Sequence, residues 1–280
     1  MNESEAVQMH PLLSRTPTQL AFAGDWHGDA NWANGVIMSL AARGVEVVVQ
    51  VGDFGVWPGW QGRDFLASVD KVARRRDVNV LFIDGNHDDH DQLDAAARVD
   101  GLGKFGERIW HVPRGTRWDW AGIRFAALGG ATSVDRQSRT PGQSWWPAER
   151  ISADDVKNFQ RGGVVDVAVT HDCPAGVRIP GVTHGRGVKY WGYGPIVEAE
   201  EHRQVLAGAL SPTSPALIVH GHYHLRYSGV WHYEGGHAEV EGLHYAGKRL
   251  TSNNVLITTP AELAERVGQI RLEDNLEQRP

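Results

Sequence analysis

The sequence has 280 residues and a formal net charge of -6, with 28 Lys and Arg against 34 Asp and Glu. This length allows one large α/β domain or two small ones. The acidic balance excludes an extended nucleic-acid surface, and no apolar run reaches the ~18 residues that a membrane span needs. The only cysteine, Cys173, excludes an intrachain disulfide and favours a reducing, cytoplasmic compartment.

The first part of the chain alternates apolar runs of strand length with helical patterns. The predicted strands are 19–24, 45–52 and 78–85, and the predicted helices are 30–43, 61–76 and 91–98. The strand runs are rich in Val and Ile without polar alternation, which is typical of strands covered on both faces. The strand–helix–strand order predicts a parallel sheet with right-handed crossovers.

From about residue 107 the apolar runs become short and turn-separated, which predicts antiparallel strands. These strands are 108–112, 117–122 and 123–130. Helices are then predicted at 152–161 and 195–210, a Gly-rich loop at 174–195, and strands at 164–172, 216–224, 228–233, 237–246 and 253–259.

The segment 260–280 has Leu263, Val267 and Ile270 at helical spacing, which predicts a docked C-terminal helix, with a dimer contact as the weaker alternative. The sequence contains no linker or repeat, so we expect a single domain over 1–280 with a flexible N-terminus at 1–17. The pattern favours an α/β sandwich, in which two mixed β-sheets pack face to face with helices outside.

Residues that can bind metal ions follow the ends of five predicted strands. They are Asp25 and His27, Asp53, Asn86, His171, and His222 with His224. Each cluster alone has an ordinary explanation, because an Asp after a strand is often a turn residue or a helix cap. Together they offer carboxylate, imidazole and amide groups at the strand carboxyl ends, where open α/β sheets bind ligands. Such groups suit divalent ions such as Mn²⁺, Fe²⁺, Zn²⁺ or Ni²⁺.

The order of these blocks, D-x-H, G-D, G-N-H-D, H and G-H-x-H, resembles the calcineurin-like metallophosphoesterases. The resemblance runs from about residue 20 to 225 and is specific because five blocks occur in the right order. It implies an α/β sandwich with the active site at the carboxyl ends of the strands. The form "GNHD" with "GHxH" is similar to the bacterial and phage phosphodiesterase branch of this superfamily.

The resemblance also implies a dinuclear site, with Mn²⁺ favoured over Fe, Zn or Ni. One metal would be bound by Asp25, His27, Asp53 and His224, and the other by Asp53, Asn86, His171 and His222. Asp53 would bridge the two ions, and a hydroxide between them would attack phosphorus. His87 would act as the general acid toward the leaving oxygen. Gly221 would let the chain turn so that His222 and His224 reach different metals.

The sequence departs from the pattern of the Ser/Thr protein phosphatases of this superfamily, G-D-x-V-D-R-G. In "GDFGVWPG", Val56 replaces the second Asp and no Arg follows. In the protein phosphatases, this second Asp would support the catalytic His and the Arg would bind phosphate. The difference argues against a protein phosphatase and leaves the carboxylate partner of His87 open, with Asp88 and Asp172 as candidates.

Substrate specificity is expected from loops between the metal-binding blocks. The candidate residues are Trp26, Asp29, Trp57, His184 and Arg186, and the candidate segments include 129–136 and 183–194. Aromatic side chains suit a nucleobase by stacking, so a small phosphodiester such as a cyclic nucleotide, including a 2′,3′-cyclic one, is the favoured substrate.

The alternative functions are a phosphomonoesterase or nucleotidase, a protein phosphatase and a non-catalytic scaffold. No membrane partner is expected, and a homo-oligomer remains open.

Other motifs and histidines are not assigned to the site. "GLGKFG" at 101–106 matches a dinucleotide-binding pattern, but it follows a helix and precedes a strand, which is the reverse of that site. His220 is expected to be packed at the strand end without a ligand role. The same holds for the other histidines outside the five blocks, which are His90, His111, His202, His232, His237 and His244.

Overall fold

The computed structural model describes residues 9–182, 184–247 and 254–277. The helices are α1 (Pro11–Ser14), α2 (Ala30–Ala41), α3 (Gly59–Arg76), α4 (His90–Ala95), α5 (Ala153–Gln160), α6 (His184–Trp191), α7 (Tyr193–Leu210) and α8 (Pro260–Glu277). The strands are β1 (Leu20–Ala23), β2 (Val47–Gln50), β3 (Asn79–Phe82), β4 (Arg98–Val99), β5 (Leu102–Lys104), β6 (Ile109–His111), β7 (Arg117–Trp120), β8 (Ile123–Leu128), β9 (Val167–Thr170), β10 (Leu217–His220), β11 (Tyr227–Tyr233), β12 (Gly236–Gly242) and β13 (Val255–Thr258).

These strands form two mixed sheets. The first has the order β13-β1-β2-β3-β6-β5-β4, and the second has the order β11-β12-β10-β9-β8-β7. The centre of each sheet is parallel: β1, β2, β3 and β6 in the first, and β12, β10, β9 and β8 in the second. Antiparallel strands lie at the edges of both sheets.

Alternate residues of the central strands face opposite sides, which produces three apolar layers. Phe22 and Val49 face the space between the sheets, where they join Phe125 and Val169 of the second sheet in one cluster. The neighbouring residues on the same strands pack outward against α2 and α3. The outer face of the second sheet is covered by α5 and α7. Because both faces of both sheets are buried, the predicted Val- and Ile-rich runs have no polar alternation.

The predicted α/β sandwich is confirmed, with element ends shifted by a few residues. The strand predicted as antiparallel at 108–112 is β6, which pairs antiparallel with β5 on one side and parallel with β3 on the other. The prediction missed the two short strands β4 and β5, and β5 occupies part of the 101–106 glycine motif. The predicted loop 174–195 contains α6, whose glycines obscured its helical pattern.

Both ends of the described chain pack on the sandwich. The expectation of a flexible N-terminus over 1–17 is wrong for residues 9–17, because Leu13 of α1 is buried in the central core, and residues 1–8 lie outside the described part. The docked C-terminal helix is confirmed by Leu263, Val267 and Ile270, which are buried in the same core. No helix among the described residues is long and apolar enough to cross a membrane.

Arg114 connects the first sheet to the segment that follows β8. Its Nε and Nη2 donate to Asp84 Oδ2 over 2.9 and 2.6 Å, just after β3. Its Nη1 donates to the Arg150 carbonyl over 2.8 Å and to Asp155 over 3.2 Å. Burial alone would raise the pKa of Asp84, but the charge of Arg114 outweighs burial and holds that pKa far below its usual range. Each of these two buried charges, Arg114 and Asp84, is therefore stabilised by the other.

We expect Arg114→Ala to lower the free energy of unfolding by about 3–5 kcal/mol, because it leaves the buried Asp84 charge without its partner. Urea unfolding at neutral pH measures this change. Arg43→Ala, at an exposed position after α2, is the control and should stay within about 0.5 kcal/mol of the wild type. Equal effects of the two substitutions would contradict the role given to the Arg114 ion pair.

Candidate metal centre

The seven predicted ligand residues meet at the carboxyl ends of the parallel strands of both sheets. Each residue or pair follows its strand within a few positions: Asp25 and His27 follow β1, Asp53 follows β2, Asn86 follows β3, His171 follows β9, and His222 and His224 follow β10. The two sheets face each other at this edge, so residues far apart in the sequence come together. This is the edge at which α/β sheets bind ligands.

Asp25, His27 and His224 form the first of two groups that could hold a metal ion. His224 Nε2 lies 2.8 Å from His27 Nε2 and 3.2 Å from Asp25 Oδ2. Donor atoms that share one ion at bonds of about 2.0–2.2 Å lie roughly 3 Å apart, so these contacts suit a shared cation.

Asp25, Asp53 and His171 form the second group. His171 Nε2 lies 3.4 Å from Asp53 Oδ1 and 3.1 Å from Asn86 Oδ1, which adds the predicted amide oxygen. His171 Nδ1 donates to the Val51 carbonyl over 2.8 Å, which leaves Nε2 directed into the group. A second hydrogen bond of this kind is usual for a metal-binding histidine. Neither group includes His222, whose ring centroid lies 5.1 Å from that of His171.

The carboxylates of this centre are ionised although they are buried. Burial alone would raise the pKa of Asp53, but the nearby His171 and His87 outweigh it and hold that pKa well below its usual range. Burial also opposes ionisation of Asp25, and the hydrogen bond with His224 lowers its pKa. Burial lowers the pKa of His222 to about 4, so its ring is neutral. Burial opposes protonation of His171, but Asp53 raises the pKa of His171 to about 10, so this ring carries a positive charge in the metal-free centre. A divalent cation bound to the two carboxylates would take the place of that charge.

Four of the seven residues have a left-handed backbone. The φ angles are 46° at His27, 54° at Asp53, 67° at His222 and 55° at His224. Residues with side chains rarely adopt this conformation, and it costs about 1–3 kcal/mol each where the surroundings impose it. Four of the eight such non-glycine residues in the described chain lie in this one cluster. Such clustering is typical of a functional site.

Gly85 and Gly221 allow the buried carboxylates to approach the neighbouring loops. A Cβ on Gly221 would overlap the Asp25 carboxylate, and a Cβ on Gly85 would overlap Asp53. Gly221 has no positive φ, and the left-handed residues of this turn are His222 and His224. Gly221 is needed for space rather than for backbone freedom.

Asp88 organises the backbone around Asp53. Its two carboxylate oxygens accept hydrogen bonds from the backbone N–H groups of four residues, which are Phe54, Gly55, Val56 and Gly85. Burial and the charge of Asp53 raise the pKa of Asp88 to about 7, although these hydrogen bonds oppose the rise. Asp88 is therefore occupied with the two loops and is not the partner of His87.

Asp172 is also excluded as the partner of His87. Its Oδ2 accepts from His202 Nδ1 over 2.8 Å, and its Oδ1 accepts from Tyr223 Oη over 2.8 Å. His202 Nε2 accepts in turn from the backbone N–H of Ile151. Asp172 thus fixes Tyr223, which lies between His222 and His224, against α7. His220 is buried as expected, and its ring bonds to Tyr227 Oη and the Gly221 carbonyl.

His87 lies between Asp53 and Arg139, which belongs to the connection between β8 and α5. Its backbone N–H donates to Asp53 Oδ1 over 2.8 Å, and its Nε2 lies 4.0 Å from Asp53 Oδ2. On the other side, Arg139 Nη2 lies 3.2 Å from His87 Nε2. Arg139 is paired with Asp135 through two hydrogen bonds of 2.7 Å. Beyond Asp53, the carboxylate of Asp135 also acts on His87, and it is connected to His87 through Arg139.

Glu149 and Ser133 fix the orientation of the Asn86 amide. Asn86 Nδ2 donates to Ser133 Oγ over 2.9 Å, and Ser133 Oγ donates to Glu149 Oε2 over 2.6 Å. Glu149 Oε1 also accepts from the Ser133 backbone N–H, and both residues are buried. With Nδ2 held on this side, Oδ1 points toward His171, which is the orientation that metal binding requires.

A cavity of about 690 Å³ opens from this cluster. At one end its lining includes Asp53, Asn86, His87, His222 and His224. The rest of its lining combines the apolar side chains of Val177, Ile179, Val182, Trp191 and Ile196 with the charged residues Arg178, Arg186, Glu200 and Arg203. This volume lies within the range of roughly 300–1,000 Å³ that is usual for small-molecule sites.

Most of the predicted substrate residues do not line this cavity. Trp26 is 1 % exposed and packs on Phe54, so its ring belongs to the core. Asp29 caps α2 by accepting from the Trp32 N–H, and Trp57 packs over Gly28. These three predictions are corrected because each side chain already has a structural role. Arg186 does line the cavity, whereas the side chain of His184 lies outside the described part.

The sequence prediction missed Arg139 and Glu149, and it placed Ser133 and Asp135 only within the general loop 129–136. These residues belong to the long connection between β8 and α5, which carries no motif of its own. A buried acid such as Glu149 is distinguishable from a surface acid only once the fold is known.

The fold has counterparts among solved structures. The protein TT1561 of Thermus thermophilus is similar with a TM-score of 0.50 and 11% identity, over 87% of this chain and 99% of that chain. A dimetal phosphatase from Danio rerio is similar with a TM-score of 0.50 and 14% identity, over 87% of this chain and 93% of that chain. The sequence matches no family model and no curated protein. The chain thus has the α/β sandwich fold of these two solved structures.

We expect Ser133→Ala to weaken binding of one Mn²⁺ ion by about 10- to 100-fold, because the Asn86 amide loses the contact that orients it. The other ion should bind as in the wild type. Titration calorimetry of the metal-free protein with Mn²⁺ separates the two events. Ser138→Ala removes an exposed hydroxyl from the same connection and should leave both unchanged. Unaltered Mn²⁺ binding by Ser133→Ala would show that Ser133 does not position Asn86.

Proposed function

We propose that this protein is a dinuclear metal-dependent phosphoesterase that hydrolyses small phosphodiesters. The fold supports this proposal, because it is similar to that of a solved protein described as a dimetal phosphatase. The supporting chemistry lies in the two groups of metal-binding side chains and in the cavity that begins beside them.

The position of Asp53 is the observation that carries this proposal. Its Oδ2 lies 3.8 Å from His27 Nε2, and its Oδ1 lies 3.4 Å from His171 Nε2. One carboxylate therefore presents a different oxygen to each group. Two cations about 3.5–4 Å apart repel each other, and an anion between them reduces this repulsion. A side chain that only held the fold together would not need this arrangement.

The residues around Asp53 have different roles in the proposed chemistry. When bound, two divalent ions would supply Lewis acidity toward the phosphate oxygens and toward an attacking water. Asp25, His27 and His224 would bind the first ion, and Asn86, His171 and His222 would bind the second, with Asp53 shared. His87 faces the same space from the Arg139 side, where it would donate a proton to the leaving oxygen. No covalent bond to the protein is required.

The cavity supports a small organic ester as the substrate. A phosphate held at the metal-binding end would direct its organic group toward Val177, Ile179 and the ring of Trp191. An aromatic ring on this path suits a nucleobase, because base stacking on aromatic side chains stabilises binding by about 1–3 kcal/mol per base. A cyclic nucleotide, including a 2′,3′-cyclic one, combines such a base with a phosphodiester.

A phosphomonoesterase is the second candidate, and the description of the Danio rerio protein as a phosphatase favours it. A protein phosphatase is disfavoured, because Val56 stands where that class has an Asp and the cavity has the size of a small-molecule site. A non-catalytic scaffold is disfavoured because the seven proposed ligands and His87 are present together. A protein without catalytic function would not need all eight of these side chains in one cluster.

We expect the metal-free protein to bind two equivalents of Mn²⁺ and then to hydrolyse phosphodiesters. Asp53→Asn should lose at least one equivalent and nearly all turnover, because the Asp53 carboxylate presents one oxygen to His27 of the first group and the other to His171 of the second. Metal analysis after gel filtration and assays with bis(p-nitrophenyl) phosphate and 2′,3′-cyclic AMP measure these outcomes.

Asp29→Asn is the matched control, because Asp29 is an exposed helix cap outside both groups. It should bind both ions. A wild-type protein that binds no metal and turns over no ester would favour the scaffold. Turnover of p-nitrophenyl phosphate far above that of the diesters would favour the phosphomonoesterase.

We expect His87→Ala to retain both metal ions and to lose turnover in proportion to the basicity of the leaving group. The loss should reach about 10²- to 10⁴-fold for an alkoxide and be much smaller for p-nitrophenolate, which leaves without a proton. Steady-state assays on 2′,3′-cyclic AMP and bis(p-nitrophenyl) phosphate compare the two cases. An equal loss on both substrates would refute the role of His87 as a proton donor.

A further inference from the structure

The connection between β8 and α5 places an ion pair at the wall of the cavity. Asp135 lines the cavity beside His87, and Arg139 lies behind them with its Nη2 3.2 Å from His87 Nε2. Neither residue belongs to the five blocks of metal-binding residues. The pair therefore places two oppositely charged side chains next to His87 without binding a metal.

The hydrogen bonds of Arg139 leave little of its guanidinium for a substrate. Of its five N–H groups, two donate to the Asp135 carboxylate, one to the Ser144 carbonyl, and one is directed at His87 Nε2. Within the described part of the chain, one N–H on Nη1 remains after these four. A phosphate lying next to His87 would thus meet a single hydrogen-bond donor from this arginine rather than a two-pronged clamp.

The charge of Arg139 is offset as well. Partial burial alone would raise the pKa of Asp135, but its hydrogen bonds with Arg139 lower that pKa, so the carboxylate is ionised. Its two oxygens lie 2.7 Å from Arg139 Nε and Nη2. The pair contributes about zero net charge, and Asp135 rather than Arg139 is the member that lines the cavity. A second negative charge on the substrate would gain little from the arginine and would be repelled by the carboxylate.

We propose that the Asp135–Arg139 pair makes the site selective for phosphodiesters over phosphomonoesters. A monoester carries a second negative charge above its second pKa of about 6, whereas a diester carries one negative charge. A diester also has a second organic group, which the apolar side chains of the cavity lining, such as Val177 and Ile179, can contact. This inference rests on the proposed phosphoesterase function and names the residues that set its substrate class.

The same connection contains a matched ion pair away from the cavity. Arg136 Nη2 donates to Glu198 Oε1 of α7 over 2.7 Å. Neither residue is among those that line the cavity in the described part of the chain. Removing the Glu198 carboxylate changes the charge of the protein by the same amount as removing that of Asp135. The two substitutions therefore separate a local effect on the substrate from a general effect of charge.

The experiment compares the Mn²⁺-loaded wild type with Asp135→Asn, Asp135→Ser, Asp135→Glu and Glu198→Gln at pH 8. The measured quantity is kcat/KM for p-nitrophenyl phosphate divided by kcat/KM for bis(p-nitrophenyl) phosphate. We expect this ratio to rise on the order of tenfold in Asp135→Asn and Asp135→Ser, because one partly exposed charge is removed. It should stay near the wild-type value in Asp135→Glu and Glu198→Gln.

Asp135 lies on a partly exposed connection, and the two neutral variants provide a second measurement if one of them folds poorly. An unchanged ratio, or an equal fall of both activities, would overturn the inference and leave the phosphoesterase function standing. An equal rise in Glu198→Gln would also overturn it, since the effect would then be one of total charge. Absence of turnover on every ester by the metal-loaded wild type would overturn the proposed function and this inference with it.

Discussion

The burial of two like charges side by side is the constraint on which the rest of this structure depends. Asp25 and Asp53 belong to one group of side chains, and both are buried. Two unpaired carboxylates in such a place would be strongly unfavourable. The chain surrounds them with histidines and backbone N–H groups rather than with Lys or Arg. Such partial compensation leaves the centre with a need for cations that the protein itself does not supply.

The fold follows from the sequence wherever a run of residues has one environment. The strand that leads to Asp53 is a Val-rich run because both its faces are buried, and this pattern predicts a central parallel strand. Prediction failed where the environment varies from residue to residue. The glycines of α6 resembled a loop, and the short strands β4 and β5, through which the chain returns to β6 in the first sheet, were missed.

The grouping of the seven proposed ligands also follows from the sequence, because each lies directly after a strand and the strand ends share one edge. Their supports do not follow from it. Ser133 and Glu149 act through hydrogen bonds to Asn86, and no local pattern distinguishes them from ordinary loop residues. Trp26 was expected at the substrate for a related reason, since an aromatic residue in a motif looks the same whether it faces a cavity or the core.

The pairing of β1 with β13 has a consequence for the order in which the centre can form. β1 carries Asp25 at its end, and Leu20 at its start pairs with Thr258, a partner from the far end of the chain. Contacts of such large sequence separation are slow to form, because the intervening chain must be ordered or confined first. During synthesis, the edge of the first sheet therefore stays open until almost all other elements have left the ribosome. Asp25, which follows β1, would therefore have this neighbouring strand in place only after all the other proposed ligands have been synthesised.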